Sequence, residues 1–211
     1  MHQRTRIKVC GITNLEAANA AIDAGADAIG FVFVENTPRH ITPKAAAEIM
    51  FCLPPFISAV GVVQDLSVDE FCAFEYECPT HMSQLHGKEP ADVVAACGPG
   101  VIKAFKFEEA TIKSQLDRWA KVDELDALLI DGSAGGTGES FDWAALAPHL
   151  KDYPKKIIIA GGLDAGNVGE VIKTLRPYGV DVSSGVEDEP GVKNHAKIAE
   201  FCAAVRAADQ A

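Results

Sequence analysis

The dominant pattern in the chain is an alternation of short, uniformly apolar runs with runs whose apolar residues recur at helical spacing. Apolar runs without polar alternation are typical of strands that are covered on both faces, as in a parallel sheet flanked by helices. The runs predicted as strands are Arg6–Val9, Ala28–Phe33, Ile57–Val63, Met82–Leu85, Val101–Phe105, Ala127–Ile130, Lys156–Ile159 and Val180–Val182. The sequence therefore predicts a series of strand–helix units.

Capping residues and breakers predict where the helices begin and end. Thr13-Asn14-Leu15-Glu16 has capping-box spacing, Gly25 is placed to end the helix that follows, and Thr42-Pro43 favours a second helix start. The third helical run, about Val68 to Phe74, is short and weakly patterned. Two later helices are predicted from apolar residues at i, i+3, i+4 and i+7, namely Val168, Val171, Ile172 and Leu175, and Ile198, Phe201, Cys202 and Val205.

Eight such units with right-handed crossovers can close into a (β/α)8 barrel, or TIM barrel, an α/β fold with eight parallel strands. The alternative is an open doubly wound sheet, which usually has fewer strands and in its nucleotide-binding form often carries GxGxxG after the first strand. Here Cys10-Gly11-Ile12-Thr13 follows that strand and does not match this fingerprint. The 211 residues are near the lower limit for a barrel, so we expect residues 1–211 to form one domain.

Charge and composition exclude several classes of function. The formal net charge of −11 argues against nonspecific binding to nucleic acid, which requires a basic surface. No apolar run reaches the roughly 20 residues of a membrane span, so we expect a cytoplasmic protein without membrane contact. No His, Asp, Glu or Cys set has metal-ligand spacing, and the six cysteines form no CxxC pair, so we expect neither a metal nor a disulfide frame. The sequence leaves monomer and homodimer open.

Polar and small residues follow the predicted strands at the end where barrel enzymes have their active sites. Cys10 follows the first strand; it is either an inert buried thiol or a reactive one. Asp131 follows the sixth strand, where partial desolvation raises a carboxyl pKa and favours an acid role; alternatively it caps the next loop. Arg39 could bind a carboxylate as a fork or be merely solvated, and His86 could donate to a ligand or simply pack.

Two glycine-containing turns follow the last two strands, Ala160-Gly161-Gly162-Leu163 and Ser183-Ser184-Gly185-Val186. Such turns can direct several backbone N–H groups at one anion, and barrels often bind phosphate at this position. Two of them together favour phosphate binding over simple tight turns. After Asp131, the stretch Gly135-Gly136-Thr137-Gly138 is either a lid or a solvent loop. Four cysteines in helical runs are assigned to packing: Cys52, Cys72, Cys97 and Cys202.

Taken in order, these motifs resemble those of the phosphoribosylanthranilate isomerase family, and the resemblance runs almost end to end. The matching stretches are Lys8-Val9-Cys10-Gly11-Ile12-Thr13, Gly30-Phe31-Val32-Phe33 with Pro38-Arg39, Gln84-Leu85-His86-Gly87, Asp131 through Gly135-Gly136-Thr137-Gly138 to Phe141-Asp142-Trp143, Ala160-Gly161-Gly162-Leu163 with Asn167-Val168, and Val180-Asp181-Val182-Ser183-Ser184-Gly185-Val186-Glu187.

The resemblance implies a (β/α)8-barrel isomerase of tryptophan biosynthesis that needs no metal or cofactor. Its substrate would be N-(5'-phosphoribosyl)anthranilate, converted by an Amadori rearrangement to 1-(2-carboxyphenylamino)-1-deoxyribulose 5-phosphate. Cys10 would be the general base and Asp131 the general acid, Arg39 would hold the anthranilate carboxylate, and His86 would line the pocket. The resemblance also implies a phosphate site formed by Gly162, Ser184 and Gly185.

Three other functions stay open at this point. A related Amadori isomerase of histidine biosynthesis would carry an aspartate at the end of the first strand, and Cys10 speaks against it. A non-catalytic barrel that binds a phosphorylated ligand would not need the intact Cys10 and Asp131 pair. A redox or nucleophilic thiol enzyme would need a resolving cysteine or a Cys–His–Asn order that the sequence does not offer.

One further hypothesis concerns the environment of Cys10. Lys8 is two residues earlier on the same strand, so both side chains should face the barrel interior. Closure of the barrel makes the eighth strand the neighbour of the first and brings Asp181 within reach of Lys8. We expect the pair to place a positive charge near Cys10 and favour its thiolate, the alternative being an ion pair with no effect on the thiol.

Overall fold

The computed structural model describes residues 4–132 and 143–211 of the chain. Its eight main strands are β1 (Arg6–Cys10), β2 (Ala28–Val32), β3 (Ser58–Val63), β4 (Met82–Leu85), β5 (Val101–Lys106), β6 (Leu125–Asp131), β7 (Lys156–Ala160) and β8 (Gly179–Val182). They pair in parallel in the order β1 to β8, and β8 pairs with β1, so the sheet closes into a barrel. The predicted (β/α)8 architecture is confirmed.

Eight helices follow the strands in turn. They are α1 (Leu15–Asp23), α2 (Pro43–Phe51), α3 (Val68–Glu77), α4 (Ala91–Cys97), α5 (Ile112–Trp119), α6 (Trp143–Leu150), α7 (Val168–Leu175) and α8 (His195–Asp209). After β8 the chain forms a 3-10 turn (Ser184–Val186) and a small antiparallel hairpin of β9 (Glu187–Glu189) and β10 (Val192–Lys193).

Most of the apolar core lies between the barrel and the helices. Large buried residues in this layer include Ile7, Phe31 and Leu128 on strands and Trp119 and Phe201 on helices. A smaller cluster of mostly small or aliphatic side chains fills the inside of the barrel: Val60, Ile102, Ala104, Ala127, Leu129, Ile158 and Ala160. The C-terminal end of the barrel is therefore left for polar side chains.

The helix boundaries correct two predictions and confirm a third. The N-cap of α1 is Asn14, whose side chain accepts from Ala17 N, so the capping box predicted from Thr13 is wrong. The third helix begins at Val68 as predicted, behind a capping box formed by Ser67 and Glu70. It is longer than predicted because it continues past Phe74 to Glu77, through a polar segment that carries little apolar signal. Thr42 caps α2 as predicted.

The assignment of helical cysteines to packing is half right. Cys97 and Cys202 are buried, but Cys52 and Cys72 are exposed. Cys52 is the residue that ends α2, and Cys72 lies on the solvent side of α3. Helical periodicity places a residue on a helix, but a weakly patterned helix such as α3 has too few regularly spaced apolar positions to define its buried face.

Candidate active site

A cavity of about 410 Å³ opens at the C-terminal ends of the barrel strands. Its walls come from residues far apart in sequence, brought together because every strand of a parallel barrel ends at the same rim. Six of the seven predicted site residues line it: Cys10, Arg39, His86, Asp131, Gly162 and Ser184. The seventh, Gly185, lies beside the cavity with its Cα against the backbone of Leu163, leaving no room for a side chain.

Cys10 is the last residue of β1 and is 8 % exposed. Burial raises the pKa of its thiol, and the Lys8 ammonium opposes that rise. Gly30 lies opposite Cys10 on β2, and a Cβ atom there would be 2.8 Å from Cys10 Sγ and 3.1 Å from Lys8 Nζ. The absence of a side chain at Gly30 therefore makes room for the thiol and the ammonium side by side.

The predicted Lys8–Asp181 pair is present. The two residues are register partners across the β1–β8 seam, and Lys8 Nζ donates to Asp181 Oδ2 at 2.9 Å. The side chains are 5 % and 8 % exposed. Burial lowers the pKa of Lys8, but Asp181 and Cys10 outweigh burial, so the net direction is upward and Lys8 stays charged.

Asp131 is the last residue of β6, with a side chain 7 % exposed. His86, just past β4, places Nε2 at 3.5 Å from Asp131 Oδ2. On the other side of the ring, Gln84 Nε2 lies 3.0 Å from His86 Nδ1. With the Gln84 amide nitrogen as donor, Nδ1 accepts and Nε2 carries the hydrogen in the neutral ring, so His86 directs an N–H at Asp131.

A buried network fixes the segment that carries His86. Lys103 on β5, with a side chain 2 % exposed, donates to the carbonyls of Leu85 and Gly87 and to Glu89 Oε2. Glu89 in turn accepts from the backbone N–H groups of Asp65 and Gly87. These bonds tie the segments that follow β3 and β4 to strand β5, and so hold the rim on the His86 side.

The two glycine-containing turns meet at the opposite side of the rim. Gly161 and Gly162 have φ values of 89° and 63°, which favour glycine. Asn167 holds the turn by donating to the Gly162 carbonyl at 2.7 Å. Gly162 and Ser184 line the cavity, and Gly185 adjoins it, so the two turns bring their backbone N–H groups to one side of the rim, where such groups can bind an anion.

Arg39 lies on the loop after β2 and lines the cavity with a side chain 13 % exposed. Its Nε and Nη2 atoms donate to the two Glu187 oxygens at 2.8 and 2.7 Å. Glu187 also accepts from Lys193 Nζ at 2.6 Å. Sequence reasoning did not identify Glu187 or Lys193 as site residues; the available signal was the position of Glu187 directly after the Ser183-Ser184-Gly185-Val186 turn.

The predicted lid at Gly135–Gly138 lies outside the described residues. Across the described part of the chain, no three His, Cys, Asp or Glu side chains are grouped so that they could hold a metal ion. Nor does any described helix combine the length and apolarity needed to cross a bilayer.

The fold and the cavity define a (β/α)8 barrel whose rim presents a thiol, a carboxylate, an arginine and a pair of glycine-containing turns. Residues 7–204 match the family described as N-(5'-phosphoribosyl)anthranilate (PRA) isomerase. A relative of that name from Geotalea uraniireducens is 44% identical over 93% of this chain and 96% of its own. The chain belongs to the N-(5'-phosphoribosyl)anthranilate isomerase family.

Solved structures agree with this membership. Phosphoribosyl anthranilate isomerase from Thermus thermophilus superposes with a TM-score of 0.88 at 39% identity, covering 96% of this chain and 99% of that one. A phosphoribosyl anthranilate isomerase bound to reduced 1-(o-carboxyphenylamino)-1-deoxyribulose 5-phosphate gives 0.86 at 34% identity and the same coverage. Monomers generated from the dimeric enzyme of Thermotoga maritima give 0.83 at 32% identity, again with that coverage.

Proposed function

We propose that the chain catalyses the Amadori rearrangement of N-(5'-phosphoribosyl)anthranilate in tryptophan biosynthesis, with Cys10 as general base and Asp131 as general acid. The observation that carries the proposal is the placement of a buried thiol and a buried carboxylate at the rim of one cavity, on β1 and β6. The cavity is also lined by an arginine and by two glycine-containing turns, which suit the two ends of this substrate.

The first step is ring opening. Asp131, in its acid form, gives a proton to the furanose ring oxygen while the amine nitrogen lone pair forms a C=N bond to C1 and the C1–O bond breaks. The product is a protonated Schiff base and an Asp131 carboxylate. The His86 N–H, 3.5 Å from Asp131, stabilises that carboxylate as its negative charge develops.

The second step is proton removal from C2. The cationic C=N bond acidifies this C–H. The Cys10 thiolate takes the proton, and the electron pair of the C2–H bond moves toward nitrogen. The resulting enolamine gains a proton at C1 and loses the one on the C2 hydroxyl, which gives the ketone. Atoms are conserved between substrate and product, as an isomerisation requires. Lys8 supports the step by keeping positive charge beside the thiolate.

Binding is proposed to use both ends of the cavity. Gly162, Ser184 and Gly185 bind the phosphate through backbone N–H groups, and Arg39 binds the anthranilate carboxylate. Because Glu187 occupies the Nε–Nη2 edge of Arg39, the carboxylate is bound by the remaining Nη1–Nη2 edge. We also propose a cytoplasmic location, because all six cysteines are free thiols, as is usual in a reducing compartment.

We also propose a homodimer rather than a monomer. Phe51 and Phe56, at either end of the α2–β3 connection, are 92 % and 102 % exposed, and the related enzyme of Thermotoga maritima is described as dimeric. Light scattering at micromolar concentration should give the mass of two chains. A mass of one chain would contradict this proposal without touching the catalytic one.

The activity is tested with freshly made N-(5'-phosphoribosyl)anthranilate, whose anthranilate fluorescence is lost on conversion. We expect rapid loss with the wild-type protein and competitive inhibition by inorganic phosphate. In parallel, the phosphoribosyl aminoimidazole substrate of the histidine-pathway isomerase should be left unchanged. Binding of the first substrate without turnover would instead favour the non-catalytic barrel.

A further inference from the structure

The loop that carries Arg39 is enclosed by the β9–β10 hairpin. Gly191, in the turn of that hairpin, has φ 88°, and a Cβ atom there would overlap the carbonyl of Pro38. On the other side, a Cβ atom on Gly11 would come within 2.7 Å of Arg39 Cδ. The arginine side chain therefore passes over the start of the β1–α1 loop, directly beside Cys10, with the hairpin behind it.

From that hairpin, Glu187 and Lys193 project inward with side chains 4 % and 1 % exposed. Glu187 accepts hydrogen bonds from Nε and Nη2 of Arg39, and its Oε1 atom also accepts from Lys193 Nζ. Lys193 Nζ also donates to the Ser183 carbonyl at 3.0 Å, and Ser183 Oγ donates to the Cys10 carbonyl at 3.1 Å. One continuous series of hydrogen bonds thus joins Arg39 to the end of β1.

The charges of this series have a consequence for ligand binding. Arg39, Glu187 and Lys193 together carry one net positive charge, so a carboxylate that arrives at Arg39 meets an uncompensated cation. A cluster with equal charges of both signs would attract an anion less strongly. Removal of Glu187 would raise the net charge of this cluster to two, which by itself favours an anion, but it would also leave the two cations in repulsion and Arg39 without its orienting partner. Because an arginine stem has many rotamers, we expect the loss of orientation to outweigh the added charge.

We propose that Glu187, supported by Lys193, is a positioning residue that fixes the orientation of Arg39 and so sets the specificity for a substrate with an ortho carboxylate. Because Glu187 binds the Nε–Nη2 edge of Arg39, the Nη1–Nη2 edge is the one that can donate two hydrogen bonds to a ligand in the cavity. This inference rests on the proposed function, because it assumes that Arg39 meets the carboxylate of phosphoribosylanthranilate.

The test compares two substrates, N-(5'-phosphoribosyl)anthranilate and its carboxylate-free counterpart N-(5'-phosphoribosyl)aniline, in wild-type protein and Glu187→Gln. We expect KM for the anthranilate substrate to rise on the order of tenfold, with a smaller change in kcat. Kinetics on the aniline substrate should be unchanged. The Kd of reduced 1-(o-carboxyphenylamino)-1-deoxyribulose 5-phosphate should rise with that KM, whereas the Kd of inorganic phosphate should not.

The matched control is Glu189→Gln, which removes an exposed carboxylate from the same hairpin and should change neither substrate. If Glu187→Gln does not fold, Glu187→Asp is used, because its shorter carboxylate keeps the charge beside Lys193 but reaches Arg39 less well; a smaller rise in the same KM is expected.

Equal losses on both substrates would show that Glu187 merely supports the fold, and no change on either would show that it does not position Arg39; both results overturn the inference. Failure of the wild-type protein to convert phosphoribosylanthranilate is a separate result, which overturns the proposed function itself.

Discussion

The Nζ atom of Lys8 lies 2.9 Å from Oδ2 of Asp181, and the two residues face each other across the seam where the barrel closes. The thiol of Cys10 is on the same strand, two residues later, and its pKa is raised by burial and lowered by Lys8. The pair is therefore positioned to set the fraction of thiolate. The proposed role of Cys10 as general base requires the thiolate, so this fraction is expected to set the rising limb of the pH–rate profile.

Lys8→Met is expected to move that rising limb to higher pH by about one pH unit or more, because the cation that favours the thiolate is lost. At neutral pH, kcat should fall about tenfold for each unit of the shift. The measurement is kcat against pH, with Lys113→Met as a control that removes a cation with 74% side-chain exposure. A limb that does not move would mean that the pair is only structural.

Loss of Lys8 alone also leaves Asp181 buried without its cation, which destabilises the fold. The double variant Lys8→Met/Asp181→Asn avoids an unpaired charge. The rising limb of the double variant should also lie at higher pH than that of the wild type, but the shift should be smaller than in Lys8→Met. The reason is that Lys8 lowers the Cys10 pKa more than Asp181 raises it.

Gly161 is expected to be essential for the position of Asp131. A Cβ atom there would lie 2.5 Å from Asp131 Oδ1 and overlap Gly132 N, at a φ of 89°. Gly161→Ala should lower kcat on the order of a hundredfold, since a displacement of about 1 Å can cost that much. The control is Gly100→Ala, where φ is 91° and nothing lies within 4 Å.

Both alanine variants carry the backbone strain of a positive φ, so thermal unfolding should show a loss in both, of about 1–2 kcal/mol for the φ effect alone. Only Gly161→Ala should lose activity beyond what its stability accounts for. Equal kcat values in the two variants would show that the contact with Asp131 has no catalytic consequence.

The cysteines should react with iodoacetamide in an order set by burial. Cys52 and Cys72 are exposed and should be alkylated first at pH 8. Burial raises the pKa of Cys97 and of Cys202 to about 11, so these thiols should stay unmodified in the folded protein. Peptide mass spectrometry over time gives the order, and the loss of activity should follow Cys10 alone. Early modification of Cys202 would contradict the buried position of α8.

Much of the barrel could be predicted because each strand is a uniformly apolar run between breakers. Barrel closure and strand periodicity together also predicted the Lys8–Asp181 contact, since both follow from topology rather than side-chain detail. The start of α1 was misplaced because Thr13 and Asn14 are adjacent cap formers, and local sequence does not decide between them.

The sequence could predict only those site residues that lie at or shortly after the end of a strand. The fork between Arg39 and Glu187 joins residues 148 positions apart, and no spacing rule indicates it. Arg39 was therefore predicted as a ligand for substrate without the carboxylate that already occupies one of its edges. Lys103 and Lys193 were missed because neither the strand pattern around Lys103 nor the polar sequence around Lys193 reveals a buried carboxylate partner.

The central claim, that Cys10 and Asp131 act as base and acid on phosphoribosylanthranilate, is tested most directly by its turnover in three proteins: wild type, Cys10→Ser and Asp131→Asn. We predict rapid loss of anthranilate fluorescence in the wild type and a fall of roughly 10²–10⁴-fold in kcat for each variant. The Kd of the reduced product analogue should stay within a few-fold of the wild-type value. Full activity in either variant, or none in folded wild-type protein, would contradict the claim.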